Sequence, residues 1–461
     1  MKDSETLSWL YALQLCPARP LVRIRSAPVD TKTVKLGLLG CGTVGSALAR
    51  LLDDQRETIV ARTGIRLEIS RIAVRDTKKS RNTDVPDDAF TTDTLGVVED
   101  PEIDVIVELM GGVDLARDFV GRALALGKPV VTGNKALLAA HGAELYAAAD
   151  AAGVDLLFEA AVAGGIPLMR PLRESLVGEP VSRVMGIING TTNYILTRMS
   201  EEGASYEEAL AEAQALGYAE EDPTADVEGY DAGAKAAIIA TIVYGAIVSH
   251  DDVHHEGISA ITGDDIAVAA RLGYAVKAIA VVEGSTSDED AGIAVRVHPA
   301  LVPLDHPLAS VRDSFNAVFI EGDAVGELML YGRGAGGAPT ASAVLGDVID
   351  AAVNRSRATS ARIGALTPAK IRPVAESSSA YYLRVAVIDQ PGVLAQVADV
   401  FGRHGVSIQS MEQQGMGDQA VLMFITHVSL EAEVQATLDE LRGLEIVNDI
   451  HSVIRVVGRE G

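Results

Sequence analysis

The sequence predicts an α/β protein built from three units, and three stretches of the chain support this prediction. From Val34 to about residue 165, short apolar runs alternate with helical stretches, which is typical of a parallel sheet covered by helices. Residues 166–334 mix helices with alternating strands, as an α+β domain does. Residues 380–457 follow the order strand, helix, strand, strand, helix, strand. We therefore expect two larger domains and a small C-terminal βαββαβ module.

The composition of the chain limits its partners and its compartment. A chain of 461 residues is too long for a single core. Acidic residues outnumber basic residues by 64 to 39, and the net charge of −25 disfavours binding to nucleic acid or anionic membranes. No apolar run reaches the roughly 18 residues that cross a bilayer. The two cysteines, Cys16 and Cys41, cannot build a disulfide framework, so we expect a cytoplasmic protein.

The first 33 residues are predicted to be an extension with little structure. Their apolar patch, Leu7–Cys16, is short, is preceded by acids and is followed by prolines and arginines. A secretory signal peptide needs a basic start and a longer apolar core. Residues 1–33 are therefore left out of the predicted domains.

The first domain is predicted to span residues 34–165 and to be completed by a later segment. Its first strand, VKLGLLG, leads into a glycine turn and then into apolar residues at helical spacing. Further strands are predicted at Ile69–Val74, Asp104–Gly111, Lys128–Gly133 and Val154–Val162. Residues 332–353 read as a glycine turn and a long apolar helix, so residues 335–372 are expected to return to this domain.

Local patterns place the elements of the other two units. VSRVMGIING predicts a strand, YEEALAEAQAL an amphipathic helix, and FNAVFIEGD alternates as strands do. After a segment rich in Pro and Ser, Leu366–Ser379, the C-terminal module begins at Tyr381. Pro391 and Gly392 mark its first turn.

The glycine turn of the first domain predicts a dinucleotide site. Gly40, Gly42 and Gly45 form a GxGxxG motif at the junction of a strand and a helix. The first glycine allows a tight turn, the second lets the backbone approach a pyrophosphate, and the third allows close helix packing. Thr43 and Val44 lie within the turn and are expected to contact the cofactor. We predict a Rossmann-type NAD(P)-binding domain.

The end of the second strand bears on the choice of cofactor. Arg75 and Asp76 are followed by Lys78, Lys79 and Arg81. An acid there binds the ribose hydroxyls of NAD, whereas an arginine suits the extra phosphate of NADP. Arg75 and its basic neighbours favour NADP, while NAD stays possible and a solvated basic turn is the alternative.

Several motifs resemble one family of enzymes. GLLGCGTVG, VTGNKALLA, FEAAVAGGIP, NGTTNYIL and GYAEEDPTADVEGYDAGAK occur in the order found in homoserine dehydrogenases, and GRGAGGAPTASAV is similar to their return segment. The tail, with DQPGVL, resembles an ACT domain, which is an amino-acid-binding regulatory module. The resemblance covers Val34 to Val457.

The resemblance implies a reaction, a cofactor and an assembly. It implies NADPH- or NADH-dependent reduction of aspartate 4-semialdehyde to homoserine, on the route to threonine and methionine. It also implies that residues 166–334 bind substrate and mediate dimerisation, in a homodimer or homotetramer. Gly336, in the return segment, is expected at the cofactor.

Two lysines are candidates for the proton donor. Lys235 lies in an Ala-rich apolar helix four residues after Asp231, so the two side chains share a helical face. By resemblance, Lys235 protonates the alkoxide and Asp231 orients it or the substrate. Lys135 follows a strand at the carboxyl edge of the sheet and matches a lysine beside nicotinamide and substrate. The sequence leaves open which lysine delivers the proton.

Acids and a helix start are predicted to bind the substrate. By resemblance, Glu220 takes the ammonium group and Asp226 is another substrate-contacting acid. Gly190 allows a turn after a strand, and Thr191 can cap the following helix, which leaves groups that suit a carboxylate. Gly190, Thr191 and Thr192 are therefore further candidates, although simple capping would also explain them.

A sodium site is implied by the same resemblance. FEAAVAGGIP matches a segment that holds Na+ through a glutamate and main-chain oxygens, at Glu159, Val162, Gly164 and Ile166. Hard oxygen ligands suit such an ion. We expect a structural Na+ that holds two domains in register.

The turn of the C-terminal module is the candidate effector site. It contains Asp389, Gly392, Val393 and Leu394, and it resembles the effector-binding loop of ACT domains. The glycine lets an amino acid reach backbone groups between paired modules, so we predict feedback by threonine. A module that serves only in assembly is the alternative.

Two other functions were compared with the dehydrogenase. An acylating semialdehyde dehydrogenase needs a cysteine nucleophile, but Cys41 lies in the glycine turn and Cys16 in the extension. A non-catalytic amino-acid sensor with the same domains would be expected to lack Lys235 or Lys135. Both lysines are present, which favours the enzyme.

Overall fold

The computed structural model describes residues 31–285, 291–361 and 363–458. The predicted extension, apart from its last residues, and Cys16 lie outside the described residues. Within the described part of the chain, no helix has the length and apolar character needed to span a membrane.

The first sheet has six parallel strands in the order β3-β2-β1-β4-β5-β6. Its strands are β1 (Lys32–Leu39), β2 (Ile65–Ala73), β3 (Phe90–Thr91), β4 (Val105–Glu108), β5 (Val130–Thr132) and β6 (Leu156–Leu157). The connecting helices are α1 (Thr43–Asp54), α2 (Arg56–Thr63), α3 (Thr94–Glu99), α4 (Asp114–Ala125) and α5 (Lys135–Ala152). The predicted parallel sheet is confirmed, but the strands predicted at Asp104–Gly111, Lys128–Gly133 and Val154–Val162 are shorter than expected.

The second sheet has 11 strands and extends into the C-terminal module. Its strands are β7 (Val181–Ile187), β9 (His254–His255), β10 (Tyr274–Glu283), β11 (Ala294–Pro303), β12 (Phe315–Gly322), β13 (Gly326–Arg333), β15 (Ser378–Ile388), β16 (Ile408–Met416), β17 (Gln419–Thr426), β18 (Ser429–Leu430) and β19 (Val447–Val456), whereas β8 (Ala246–Ile247) and β14 (Thr367–Pro368) form a separate pair. The remaining helices are α6 (Gly190–Glu202), α7 (Tyr206–Ala215), α8 (Thr224–Val227), α9 (Tyr230–Tyr244), α10 (Gly263–Arg271), α11 (Gly337–Arg357), α12 (Val393–Arg403) and α13 (Glu431–Arg442).

The C-terminal module is joined to the second domain through its last strand. The predicted βαββαβ order is present as β15, α12, β16, β17, α13 and β19. Strand β19 pairs in parallel with β11, where Ala300 lies opposite Arg455 and Leu301 opposite Val456. The module is therefore continuous with the second sheet, a connection that the sequence pattern did not predict.

Helix α11 returns the chain to the first domain, as predicted. Its apolar residues Val344 and Val348 are buried in the same core cluster as Leu48 of α1. A Cβ added to Gly337, at the start of α11, would lie 3.0 Å from Cγ2 of Thr43. Glycine thus permits this close approach beside the glycine turn.

Helix α9 is the element that positions the central side chains of the site. Glycines in the left-handed conformation flank it, Gly229 with φ 85° before its start and Gly245 with φ 61° after its end. Between them the helix is Ala- and Ile-rich and buried on nearly all sides. Asp231 and Lys235 are its two ionic residues, and both are buried.

Candidate active site

Asp231 accepts hydrogen bonds on both of its carboxylate oxygens. Nζ of Lys135 lies 2.5 Å from Oδ1. Nζ of Lys235 donates to Oδ2 at 2.7 Å, and Nδ2 of Asn189 donates to the same oxygen at 2.9 Å. The structure therefore brings the three predicted catalytic residues together, on helices α5 and α9.

Lys235 is held by two acceptors on different elements. Its Nζ donates to the main-chain oxygen of Ile188 at 2.7 Å as well as to Asp231. Only 9% of the residue is exposed. An ammonium has three N–H donors, so one donor of Lys235 is left for a ligand beyond these two contacts.

Lys135 is positioned by the carboxyl edge of the first sheet. It is the first residue of α5, and Asn134 caps that helix by accepting the N–H of Leu137 at 3.1 Å. Nδ2 of Asn134 donates to the main-chain oxygen of Gly112 at 2.7 Å. The side chain of Lys135 is 44% exposed. It therefore faces both Asp231 and solvent at the edge where parallel sheets bind ligands.

The buried side chain of Glu108 supports the carboxyl edge of the first sheet. It is fully buried at the end of β4. Its carboxylate accepts from Oγ1 of Thr132 at 2.6 Å and from the N–H of Met110 at 2.8 Å. From the sequence, Glu108 was predicted only as part of a strand. An acid at the end of an apolar run was the signal that could have marked it.

The two lysines determine the ionisation of Asp231. Burial alone would raise the pKa of its carboxyl group. The charges of Lys235 and Lys135, with their hydrogen bonds, outweigh burial and hold that pKa well below its usual range. Asp231 is therefore an anion between two ammonium groups.

Asp226 lies beside this cluster on the short helix α8. Its Oδ1 accepts from Nδ2 of Asn189 at 2.7 Å. Burial raises its pKa, the hydrogen bond from Asn189 lowers it, and the charge of Asp231 raises it again. The net effect is a raised pKa, so the state of Asp226 depends on its neighbours.

Glu220 stands apart from the hydrogen-bonded cluster. It is exposed, and its main-chain oxygen accepts from Nε2 of Gln214 at 3.0 Å. Among the described residues its carboxylate has no hydrogen-bond partner. The residue thus sits at the surface of the loop that leads to Pro223.

The start of α6 differs from the sequence-based prediction. Asn189 caps this helix by accepting the N–H of Thr192 at 2.9 Å, so the predicted capping by Thr191 is wrong. Thr191 is buried and donates its hydroxyl to the main-chain oxygen of Tyr218 at 2.8 Å. A Cβ on Gly190 would lie 2.7 Å from the main-chain oxygen of Ser314. Asn189 and not Thr191 caps the helix because Asn189 directly precedes the first helical residue.

The three glycines of the dinucleotide motif have the predicted geometry. Gly40 has φ 103°, and a Cβ there would lie 2.5 Å from the main-chain oxygen of Leu109. A Cβ on Gly45 would lie 2.8 Å from the main-chain oxygen of Gly40. A Cβ on Gly42 would meet nothing within 4 Å. Gly42 thus leaves open the side on which a pyrophosphate approaches.

A cavity of about 860 Å³ lies next to this turn. Arg75, Asp76, Lys79 and Arg81 line it together with Gly40 and Gly42, and Lys78 does not line it. The guanidinium of Arg81 lies over the ring of Phe90, 5.2 Å from the ring centre. The residues that follow β2 therefore give this cavity a wall with basic side chains.

The segment from Glu159 to Ile166 offers main-chain oxygens but not a free carboxylate. The carboxylate of Glu159 accepts the N–H groups of Leu168, Met169 and Arg170, the last two at 2.8 and 2.9 Å. Among the turn and loop hydrogen bonds of the described residues, none is accepted by the main-chain oxygens of Val162 and Gly164. The main-chain oxygens of Val162 and Gly164 thus fit the expected sodium ligands, whereas the carboxylate of Glu159 does not.

The predicted effector turn surrounds a cavity of about 370 Å³. Asp389, Gly392, Val393 and Leu394 line it together with Gln413 of β16. Gly392 has φ 90°, so it can turn the chain where another residue would be strained.

Comparisons with family models cover most of the described chain. Residues 40–159 match the model described as "Homoserine dehydrogenase, NAD binding domain", and residues 167–349 match the model described as "Homoserine dehydrogenase". Residues 381–446 match the model of the ACT domain.

Individual proteins agree with these matches. The chain is 48% identical to the homoserine dehydrogenase of Corynebacterium glutamicum, over 92% of this chain and 95% of that protein. The structure of a homoserine dehydrogenase from Thiobacillus denitrificans is similar with a TM-score of 0.86 and 39% identity, over 93% of this chain and 99% of that one. A hyperthermophilic archaeal homoserine dehydrogenase in complex with NADPH is similar with a TM-score of 0.60 and 29% identity, over 70% of this chain and 98% of that one.

Proposed function

Since the chain belongs to the homoserine dehydrogenase family, an oxidoreductase family, we propose that it reduces aspartate 4-semialdehyde to homoserine with NADPH. The observation that carries this proposal is the convergence of Lys135 and Lys235 on Asp231. A non-catalytic sensor would not need two ammonium groups around one buried carboxylate beside a dinucleotide turn.

Lys235 is the proposed proton donor. The dinucleotide, when bound, supplies a hydride to the aldehyde carbon. The carbonyl oxygen then gains negative charge and takes a proton from the third N–H of Lys235, and the amine regains its proton from solvent. Asp231 orients the ammonium of Lys235 through a hydrogen bond to Oδ2 before this step. Lys135, which is half-exposed, stabilises the same oxygen and could exchange protons with water.

The acids of the site suit the ammonium group of the substrate. Nδ2 of Asn189 donates to both Asp226 and Asp231, so the two carboxylates lie side by side. They present negative charge next to the two lysines. We assign Asp226 to the ammonium, with Glu220 closing over it from the exposed loop. Gly190, Thr191 and Thr192 start α6, and the N–H groups of Gly190 and Thr191, which Asn189 does not cap, suit the substrate carboxylate.

The cavity lining supports NADP rather than NAD as the preferred cofactor. Gly40, Gly42 and Gly45 with Thr43 and Val44 would hold the pyrophosphate. Arg75, with Lys79 and Arg81, would bind the additional phosphate of NADP. Gly336 directly precedes α11, whose first residue, Gly337, approaches Thr43 of the same turn.

A monovalent cation is proposed to bind the main-chain oxygens of Glu159, Val162, Gly164 and Ile166. Both Ala163 and Gly164 have positive φ angles, 56° and 53°, which fold this loop back on itself. The ion would tie the end of the first sheet to the start of the second domain. This role is structural.

The ACT domain supports regulation by an amino acid, and we propose threonine. The cavity at Asp389 and Gly392 is of a size that suits a small amino acid. Equal activity with and without millimolar threonine would contradict this assignment. Because the resemblance implies that ACT domains pair, we propose a homodimer or homotetramer, which mass measurement in solution can test. We also propose that the enzyme is cytoplasmic.

The reverse reaction provides the test of the proposed function. Purified wild-type protein is expected to reduce NADP+ when L-homoserine is added, with absorbance rising at about 340 nm. L-Serine, which is shorter by one carbon, is the matched control and should give little turnover. If homoserine causes no reduction of NADP+ or NAD+, the non-catalytic sensor is the better-supported hypothesis.

A further inference from the structure

Asn189 lies at the centre of the acidic cluster, and both polar atoms of its side chain make hydrogen bonds. The residue is 6% exposed. Its Oδ1 accepts the N–H of Thr192 at 2.9 Å. Because a main-chain N–H only donates, this contact fixes the orientation of the amide. Nδ2 must then face the carboxylates, and it donates to Asp226 at 2.7 Å and to Asp231 at 2.9 Å.

We infer that Asn189 is a positioning residue that holds Asp226 beside Asp231 as two ionised carboxylates ready for the substrate's ammonium group. The inference rests on the proposed function, because it needs Asp226 to face an ammonium. It goes beyond that function by giving the reason why two neighbouring acids stay charged and oriented in a partly buried place.

The charges around Asp226 show what the amide contributes. Asp231 repels it, whereas Lys235 and Lys135 attract it from α9 and α5. Burial raises the pKa of Asp226, and the Asn189 hydrogen bond is the largest influence that lowers it. Without this donor, Asp226 would be protonated at a higher pH. A neutral acid binds an ammonium less well than a carboxylate does.

The same side chain also caps helix α6, so the experiment must separate helix capping from the positioning of the two carboxylates. Serine at position 189 can still cap α6, but it is too short to donate to both carboxylates. Aspartate keeps the shape and the capping oxygen, but it replaces the donor by a third negative charge. Both substitutions remove the positioning contact and leave the cap.

The experiment measures homoserine oxidation by wild type, Asn189→Ser and Asn189→Asp as a function of pH. We expect the KM for homoserine to rise on the order of tenfold in Asn189→Ser and more in Asn189→Asp, while the KM for NADP+ stays within about twofold. The acidic limb of kcat/KM should move to higher pH in Asn189→Ser. Ser205→Ala, which removes the cap of α7 away from the site, is the matched control and should change neither value.

The outcomes distinguish the inference from the proposed function. Loss of homoserine oxidation in the wild type contradicts the proposed function itself. An active wild type with an unchanged homoserine KM and pH profile in Asn189→Ser overturns the inference alone. If Asn189→Ser unfolds at a lower temperature than Ser205→Ala does, the isosteric Asn189→Asp decides, and a wild-type homoserine KM in it overturns the inference.

Discussion

Nζ of Lys135 lies 2.5 Å from Oδ1 of Asp231, although one residue begins α5 beside the first sheet and the other lies in α9 of the second domain. The remaining oxygen of Asp231 binds Lys235 at 2.7 Å. One carboxylate therefore links the predicted cofactor domain to the predicted substrate domain. Relative movement of the two domains would change the distance between a lysine and its counter-ion.

Replacing Lys235 by methionine should abolish most of the turnover. Methionine fills a similar volume but has no proton to donate, and general acid catalysis contributes roughly 10²- to 10⁴-fold. We expect kcat to fall by that factor in steady-state assays with NADPH and aspartate 4-semialdehyde. Lys35→Met, which removes an exposed ion pair with Glu102, is the control and should keep wild-type kcat. A Lys235→Met enzyme with wild-type kcat would assign the proton to Lys135.

Asp347 should make the stability of the protein depend on pH near neutrality. Burial raises the pKa of its carboxyl group to about 7. In the unfolded chain an aspartate loses its proton near pH 4. Between these values the folded state holds the extra proton, so the free energy of unfolding falls as pH rises from about 4 to about 7 and is level above that.

Asp347→Asn should flatten this dependence. The midpoint of thermal unfolding is to be measured between about pH 5 and pH 8 for wild type, Asp347→Asn and the exposed control Asp323→Asn. We expect the fall with rising pH to be smaller in Asp347→Asn than in the other two proteins. Three parallel curves would show that Asp347 ionises with an ordinary pKa.

Arg75→Glu should weaken the preference for NADP. A charge-assisted contact to the additional phosphate is worth on the order of tenfold in affinity, and a glutamate repels that phosphate while suiting ribose hydroxyls. The ratio of kcat/KM for NADP+ to that for NAD+ should therefore drop by about tenfold or more. Lys78→Glu makes the same charge change on a residue that does not line the cavity, so its ratio should stay near the wild-type value. Equal ratios in all three proteins would exclude Arg75 from cofactor choice.

Arg455→Met should destabilise the connection between the ACT domain and the second domain. Nη1 of Arg455 donates to Glu256 at 2.7 Å, and Nη2 donates to Glu431 at 2.8 Å. Methionine leaves two carboxylates without their shared cation, which costs roughly 3–5 kcal/mol for a buried pair. Urea unfolding should show that loss, whereas Arg442→Met, at an exposed pair with Asp439, should lose less than about 1 kcal/mol. Similar midpoints for both variants would contradict the role of Arg455.

The sequence predicted the elements of the fold better than the way they join. Alternating apolar runs and the glycine turn are local signals, and they located the parallel sheet, the return helix and the C-terminal βαββαβ order. The pairing of β19 with β11 joins residues about 155 positions apart through two residue pairs, Ala300 with Arg455 and Leu301 with Val456. Such a short contact leaves no periodic trace in the sequence, because periodicity reports on burial and not on the partner strand.

The sequence likewise predicted some residues of the candidate site and missed others. Lys235 and Asp231 share one helix, so their spacing alone predicted contact. Lys135 and Asp226 come from other segments; the carboxyl edge of the sheet and the family resemblance placed Lys135 at the site, and the resemblance alone placed Asp226 there. Asn189 was missed because capping of α6 was assigned to Thr191, although asparagine is among the preferred capping residues. Its second partners, 37 and 42 residues later in sequence, depend on tertiary structure.

Product analysis in the forward direction tests the central claim most directly. Wild-type protein and Lys235→Met are to be incubated with NADPH and aspartate 4-semialdehyde, and the homoserine formed is to be quantified against the NADPH consumed. The structure predicts one homoserine per NADPH in the wild type and a rate lower by roughly 10²-fold or more in the variant. No homoserine from the wild type would contradict a reductase site at Lys135, Asp231 and Lys235, and equal rates from both proteins would contradict Lys235 as its proton donor.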